Sequence, residues 1–343
     1  MHNIQIKHRQ HYVFQSYLKN WSLEDRLWCY RDGKCFRANT VNVAQERDFY
    51  RIRDLNDDEE RFLLMLADHL PGETATIMKK HIALYKRPLR WKQGVSELID
   101  VTKEKIYKDK PIPDDVQTLI RYGEQLVESA VNDTIEDLYS AEEGMLTVFL
   151  EELKQRKRDF YDNPYAVQEM AFRDSKQAFL YSVCSQHFRT KGAYSRWKSG
   201  FVNIDKNILN ALGINKNNIR PDHIAYQVFL HVEGQGVDYL EAKGAKLTIL
   251  VNETAVPFLT SDQPVINLKA DYHTVTEEID GIVFYYPITP NLAILVNSDY
   301  PNDEYNVTET EVDKYNRAVI AASNEFIFSN TVTAIKRYHE EKY

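Results

Sequence analysis

The stretch IKHRQHYVFQSYLKNW, residues 6–21, sets two histidines among two tyrosines, an arginine and two lysines. His8 and His11 lie three positions apart, a spacing that would share one face if the segment were helical. Imidazole exchanges a proton near neutral pH, which makes His11 a candidate general acid or base. Tyr12 beside it has a ring that packs and a hydroxyl that can hold the imidazole in place. The competing reading is an aromatic anchor, since Tyr17, Leu18 and Trp21 follow an apolar stripe expected in the core.

Two further clusters carry candidate chemistry. In SQHFRT, Gln186 and Arg189 share a helical face and Thr190 adds a hydroxyl beside them. The guanidinium fork of Arg189 suits a phosphate or a carboxylate. Its alternative is an internal pair with a carboxylate that pins the helix. In FLTSDQPV, Asp262 closes a strand just before Pro264. Its carboxylate is placed to orient His11, bind a metal or pair with Arg189, or else to bond its own turn. Asn316, inside an otherwise helical pattern, signals a polar partner. This gives His11, Arg189 and Asp262 as candidate catalytic residues, and Tyr12, Gln186, Thr190 and Asn316 as candidate substrate contacts. His8, His11 and Asp262 are the candidate ligands for a divalent metal, though a metal site needs more donors than the sequence displays.

Familiar catalytic signatures are absent: no phosphate-cradling glycine loop, CxxC, HExxH or GxSxG occurs. The basic runs KQRKR (154–158) and KKH (79–81) adjoin acidic residues and read as solvated helix faces. A formal charge of −8 gives no long-range attraction to nucleic acid, so binding RNA or a nucleotide calls for a local site. No run of about 18 apolar residues is present, and MHNIQIKHRQ has no apolar core of a secretory leader. Neither a membrane span nor contact with a membrane is therefore expected. Three cysteines, Cys29, Cys35 and Cys184, suit a reducing cytoplasm.

The elements that must position these residues read as an α+β fold. LWCYR-DG-KCFRA is a hairpin with a type I′ turn, whose register pairs 29 with 36 and 30 with 35 and so keeps Cys29 and Cys35 on opposite faces. Helical patterns run from Asp57 to about 243, with a polar, proline-containing connector at 103–115. In that stretch Asp114-Asp115 opens a long helix, a second covers 141–160, and a third starts after Asn163-Pro164, with Gly192 ending or bending it. Four β-rich runs follow in KLTILVN, PFLTSDQPVIN, GIVFYYPIT and LAILVNS, and one last helix closes the chain. Segregated runs favour a mostly antiparallel sheet made by the early hairpin and the late strands. The expected organisation is a single interwoven domain, 1–343, with a helical insert at approximately 57–243.

The ordered motifs resemble those of the bacterial DUF4238 family, whose members have no assigned reaction. Its HHYVPQFYLRNF-like start is matched by QHYVFQSYLKNW, with Phe14 in place of proline and Trp21 closing the stretch. ERDFY at 46–50, QHFRT at 186–190, TSDQPV at 260–265, the Pro287–Pro290 step, Asn316 and Phe328-Ser329 follow in order. The resemblance implies that His11, Tyr12, Gln186, Arg189, Thr190, Asp262 and Asn316 belong to one group, and implies no mechanism. Two functions fit these residues. One is a hydrolase of phosphodiester bonds in RNA or a nucleotide, as in a bacterial toxin or phage-defence effector, with or without a divalent metal. The other is a non-catalytic binding or regulatory protein whose polar cluster is a structural network.

Overall fold

The computed structural model describes residues 4–70, 72–167, 172–273, 281–301 and 303–338. The fold is α+β, and the chain forms two compact units. A helical unit comprises Met1–Gln10, Glu46–Ala141 and Asp205–His231, and a mixed unit comprises His11–Gln45, Glu142–Ile204 and Val232–Tyr343.

The helical unit begins with the helix Asp57–Asp68, started by a capping box in which Asn56 accepts from the Glu59 amide and the Glu59 side chain answers at the Asn56 amide. Helices Gly72–Tyr85 and Arg87–Val101 follow, then a π-type turn Thr102–Ile106. The expected break near residue 140 does not occur. Asp114–Lys154 is one helix of 41 residues, because SAEEG holds no proline and the Ser140 hydroxyl bonds back to the Glu136 carbonyl within the helical ladder.

In the mixed unit the early hairpin forms as read. Asp32 and Gly33 both take the left-handed conformation that a type I′ turn needs, and Cys29 opposes Phe36 while Tyr30 opposes Cys35. All three cysteines are free. The hairpin strands Arg26–Arg31 and Lys34–Asn39 join late strands in a four-stranded antiparallel sheet, ordered Lys34–Asn39, Arg26–Arg31, Ile327–Ser329, Thr260–Ser261. The other late strands form a second sheet, ordered Glu304–Asn306, Lys246–Val251, Leu292–Asn297, Val283–Thr289, Ile266–Asn267, antiparallel except between its first two members. Its central strands are buried along almost their whole length, which is why they read as continuous apolar runs without alternation.

Two expected helices are interrupted. The final one ends at Ala322, where Ser323 turns extended, and IFS becomes the strand Ile327–Ser329 before a short helix Val332–Arg337. Buried aromatic and β-branched residues pack better on that sheet than on a helix face. The third central helix starts only at Ser175, capped by Asp174, and ends at Phe188. Thr190 then caps a new helix, Lys191–Phe201, by accepting from the Ala193 amide.

The aromatic stripe near the start is core. Tyr17, Leu18 and Trp21 are fully buried. The Tyr17 hydroxyl donates to the Pro287 carbonyl (2.7 Å) and the Trp21 indole to the Phe258 carbonyl (3.2 Å). Phe14, where the resembling sequences carry proline, has φ −67°, the angle proline would impose. No helix among the described residues is long and apolar enough to cross a membrane.

Candidate functional site

Helix Ser175–Phe188 buries polar residues as well as apolar ones. Ser182, Ser185, Gln186 and Arg189 recur at i, i+3, i+4 and i+7, a stripe that is polar yet fully buried. Glu142 and Glu143 reach it from the long helix, and Glu233 from the helix Pro221–Ala242. That last helix approaches closely because Gly236 has no side chain: a Cβ there would stand 3.1 Å from the Cys184 sulfur. Glu233 lies one turn earlier on the same helix.

Arg189 is 0% exposed. Its Nη2 donates to the His11 carbonyl (3.1 Å) and pairs with the Glu143 carboxylate, which is partly open to solvent. The Ser185 hydroxyl donates to Glu142 Oε2 at 3.0 Å. Burial, reinforced by Glu233, pushes the Glu142 carboxyl well above its ordinary range, against the pull of Arg189 and Ser185. Burial likewise raises Glu233 to about 7, opposed by a bond from Tyr181 and by Arg189. Both carboxyl groups are thus pushed above their ordinary range by burial, with the charge of Arg189 opposing the rise in each. Around them Glu142 Oε1, Glu233 Oε1, the Ser182 and Tyr286 hydroxyls and both amide atoms of Gln186 are buried with no hydrogen-bond partner among the described residues. Buried polar groups are nearly always bonded, so this concentration marks a place prepared for water or a ligand.

The remaining residues singled out by sequence do different work. The Asp262 carboxylate accepts from the amides of Asn324 (2.9 Å) and Glu325 (2.6 Å), clasping the approach to the strand Ile327–Ser329. Asn316 accepts from the Leu259 amide (2.7 Å) and donates to the Pro257 carbonyl (2.9 Å). Thr190 donates to Gln263 Oε1 (2.7 Å), which also accepts from Arg196 (2.8 Å), while the Gln263 amide nitrogen donates to the His187 and Val265 carbonyls. Tyr12 is buried and its amide donates to the Ala44 carbonyl at 3.1 Å. His11 is half-buried and meets Arg189 through its backbone. His8 belongs to the helical unit, where its Nδ1 bonds Asp48 at 2.7 Å. Among the described residues no group of three or more His, Cys, Asp or Glu side chains is disposed to hold a metal ion.

Arg189 and Gln186 are therefore joined by three glutamates, two serines and a tyrosine that sequence reasoning had not selected. The serine spacing along the helix was the available signal. A family model described as "Protein of unknown function (DUF4238)" matches residues 9–333. No curated protein and no solved structure matches the chain.

Proposed function

The chain belongs to the DUF4238 family, and from that premise we propose that it is a hydrolase of phosphodiester bonds in RNA or a nucleotide, working by general acid–base catalysis in the cytoplasm. The observation that carries this reading is the fully buried Arg189 guanidinium, paired with the partly open Glu143 carboxylate in a cluster where Glu142, Glu233, Gln186 and Tyr286 keep buried polar atoms unbonded among the described residues. In the reaction, His11 takes a proton from the attacking water as the new P–O bond forms. Arg189 exchanges Glu143 for the phosphoryl oxygens and carries their growing charge. Glu233 gives its proton to the leaving oxygen as the old P–O bond breaks. Gln186 and the Tyr286 hydroxyl, otherwise unbonded, orient the bound group. An effector that degrades RNA or nucleotides, as in a toxin or an anti-phage response, is a setting that such an activity suits. Three free cysteines support the cytoplasmic placement.

The second reading is a non-catalytic protein in which this cluster is an internal network. The pairing of Arg189 with Glu143 and the use of Asp262 by two backbone amides favour it. Labelled RNA and nucleotides, incubated with EDTA, magnesium or manganese, separate the two. Turnover by the wild type that is lost in Arg189→Ala and Glu233→Gln, with folding retained, supports the hydrolase. Absence of turnover in every condition overturns it.

A further inference from the structure

Two motifs of the sequence, QHFRT and TSDQPV, meet in the mixed unit at a second polar group that the proposed reaction leaves unused. Gln263 is its hub and is fully buried. Its amide nitrogen donates to the carbonyls of His187 (2.7 Å) and Val265 (3.0 Å). Its amide oxygen accepts from the Thr190 hydroxyl (2.7 Å) and from Arg196 Nη2 (2.8 Å). His187 follows Gln186 in the helix, yet at about 3.6 residues per turn it stands roughly 100–160° around the axis from Ser182, Ser185, Gln186 and Arg189. It faces away from the cluster they form.

The His187 ring is held in one tautomer. Its Nδ1 lies 2.9 Å from the Val265 carbonyl oxygen, which can only accept, so Nδ1 carries the proton and Nε2 keeps its lone pair. Desolvation, reinforced by the charge of Arg196, lowers the ring to about 4, so it is neutral near physiological pH. Nε2 has no hydrogen-bond partner among the described residues. Arg196 is fixed as well. Its guanidinium carbon stands 4.9 Å from the centre of the Tyr272 ring, the same ring that His187 meets edge-on at 6.4 Å. Gly192, one turn earlier on the helix Lys191–Phe201, leaves the space for it: a Cβ there would lie 3.1 Å from Arg196 Nη1. Desolvation lowers the Arg196 pKa, against the pull of Tyr272 and Asp262. Asp262 acts only through its charge, since its two oxygens accept from the amides of Asn324 and Glu325. Among the described residues no carboxylate pairs with Arg196. A guanidinium drawn out of water ordinarily has an anion beside it, and this one has an amide oxygen and a ring.

We propose that Arg196 and His187, set by Gln263 and Tyr272, bind a phosphoryl group, either free phosphate or a phosphate monoester. The guanidinium fork matches phosphate oxygens. With its second ionisation at about pH 6, a phosphoryl group brings both oxygen acceptors for Arg196 and a P–O–H donor for the Nε2 lone pair. A carboxylate brings acceptors alone and leaves His187 unanswered. The site stands apart from the Arg189 cluster and requires no turnover there.

The test titrates sodium phosphate into the full chain, with histidine isotopically labelled at Cε1, and follows the ring by nuclear magnetic resonance. The resonance missing from His187→Gln identifies His187. It should shift and saturate with phosphate, and sodium acetate at equal ionic strength should leave it in place. Calorimetry on the same chain should give one phosphate per chain. That affinity should fall about tenfold or more in Arg196→Gln. It should also fall in Gly192→Ala, which keeps every charge and only displaces the guanidinium, with circular dichroism unchanged in both. Glu233→Gln, altered in the other cluster, should bind phosphate as the wild type does. Adenosine monophosphate binding more tightly than phosphate would identify an ester as the ligand, and weaker binding the free ion. A His187 resonance that ignores phosphate, an affinity that Arg196→Gln and Gly192→Ala leave unchanged, or binding lost in Glu233→Gln overturns the proposal, whether or not the chain hydrolyses RNA.

Discussion

Replacing Asp262 with asparagine isolates one interaction of the mixed unit. The aspartate carboxylate receives two backbone N–H groups from Asn324 and Glu325, at 2.9 and 2.6 Å, and is fully buried. Asparagine keeps one acceptor oxygen and turns an NH₂ group toward the other amide, leaving a buried N–H facing a donor. A hydrogen bond to a charged group contributes about 1.5–3 kcal/mol, and an unsatisfied buried donor costs about 1–3 kcal/mol. Asp262→Asn should therefore destabilise the mixed unit by about 2–4 kcal/mol. Urea unfolding followed by tryptophan fluorescence reads this directly, since Trp21, Trp28 and Trp197 all lie in that unit and only Trp91 lies in the other. The midpoint should fall while the slope is unchanged. Under the proposed hydrolase reading, any loss of turnover should follow the loss of folded protein. A stability change below about 0.5 kcal/mol, the range of surface substitutions, would refute the clasp, and selective loss of activity at full stability would return Asp262 to the reaction.

The two other titrations follow from burial. Glu233 has its carboxyl raised from 4.5 to about 7 in the folded chain, so the folded state holds the extra proton between those values. Its contribution is complete below pH 4.5 and is lost as the pH rises through 7, a change of about 3 kcal/mol. Glu233→Gln should accordingly be more stable than wild type at pH 8, and equal or lower stability there would count against the assignment. His187 is half-buried against Phe284 with its Nδ1 on the Val265 carbonyl, and desolvation lowers it from 6.5 to about 4. The unfolded chain then binds the extra proton, so stability is complete above pH 6.5 and falls by about 3 kcal/mol toward pH 4. His187→Gln should flatten that acid limb, measured by urea unfolding between pH 4 and 7; an unchanged limb would place the acid sensitivity elsewhere.

Local signals in the sequence carried the local structure. Asp32-Gly33 specified a hairpin and its register, and Tyr17, Leu18 and Trp21 declared themselves as core. Arg189 and Gln186 were legible as one face because four residues span a helical turn. Glu142, Glu143 and Glu233 were not, since spacing within a helix says nothing of which other helix it meets. Asp262 and Asn316 stood out as oddly placed polar residues, but their partners are backbone amides 62 and 57 residues away. The same distance explains the broken final helix: what stops it is a carboxylate supplied by a remote turn, and its IFS segment is claimed by a sheet that exists only in three dimensions.

That sheet imposes an order on synthesis. Its second position is occupied by Arg26–Arg31, but the neighbour it requires, Ile327–Ser329, is made much later in the chain. Until that strand has been made, the hairpin must wait with one edge of its backbone open to any strand that passes. A transcript cut short before residue 327, a ribosome stalled there or a deletion of Ile327–Ser329 would leave that edge permanently unpaired, and the product should aggregate rather than persist as a shortened fold.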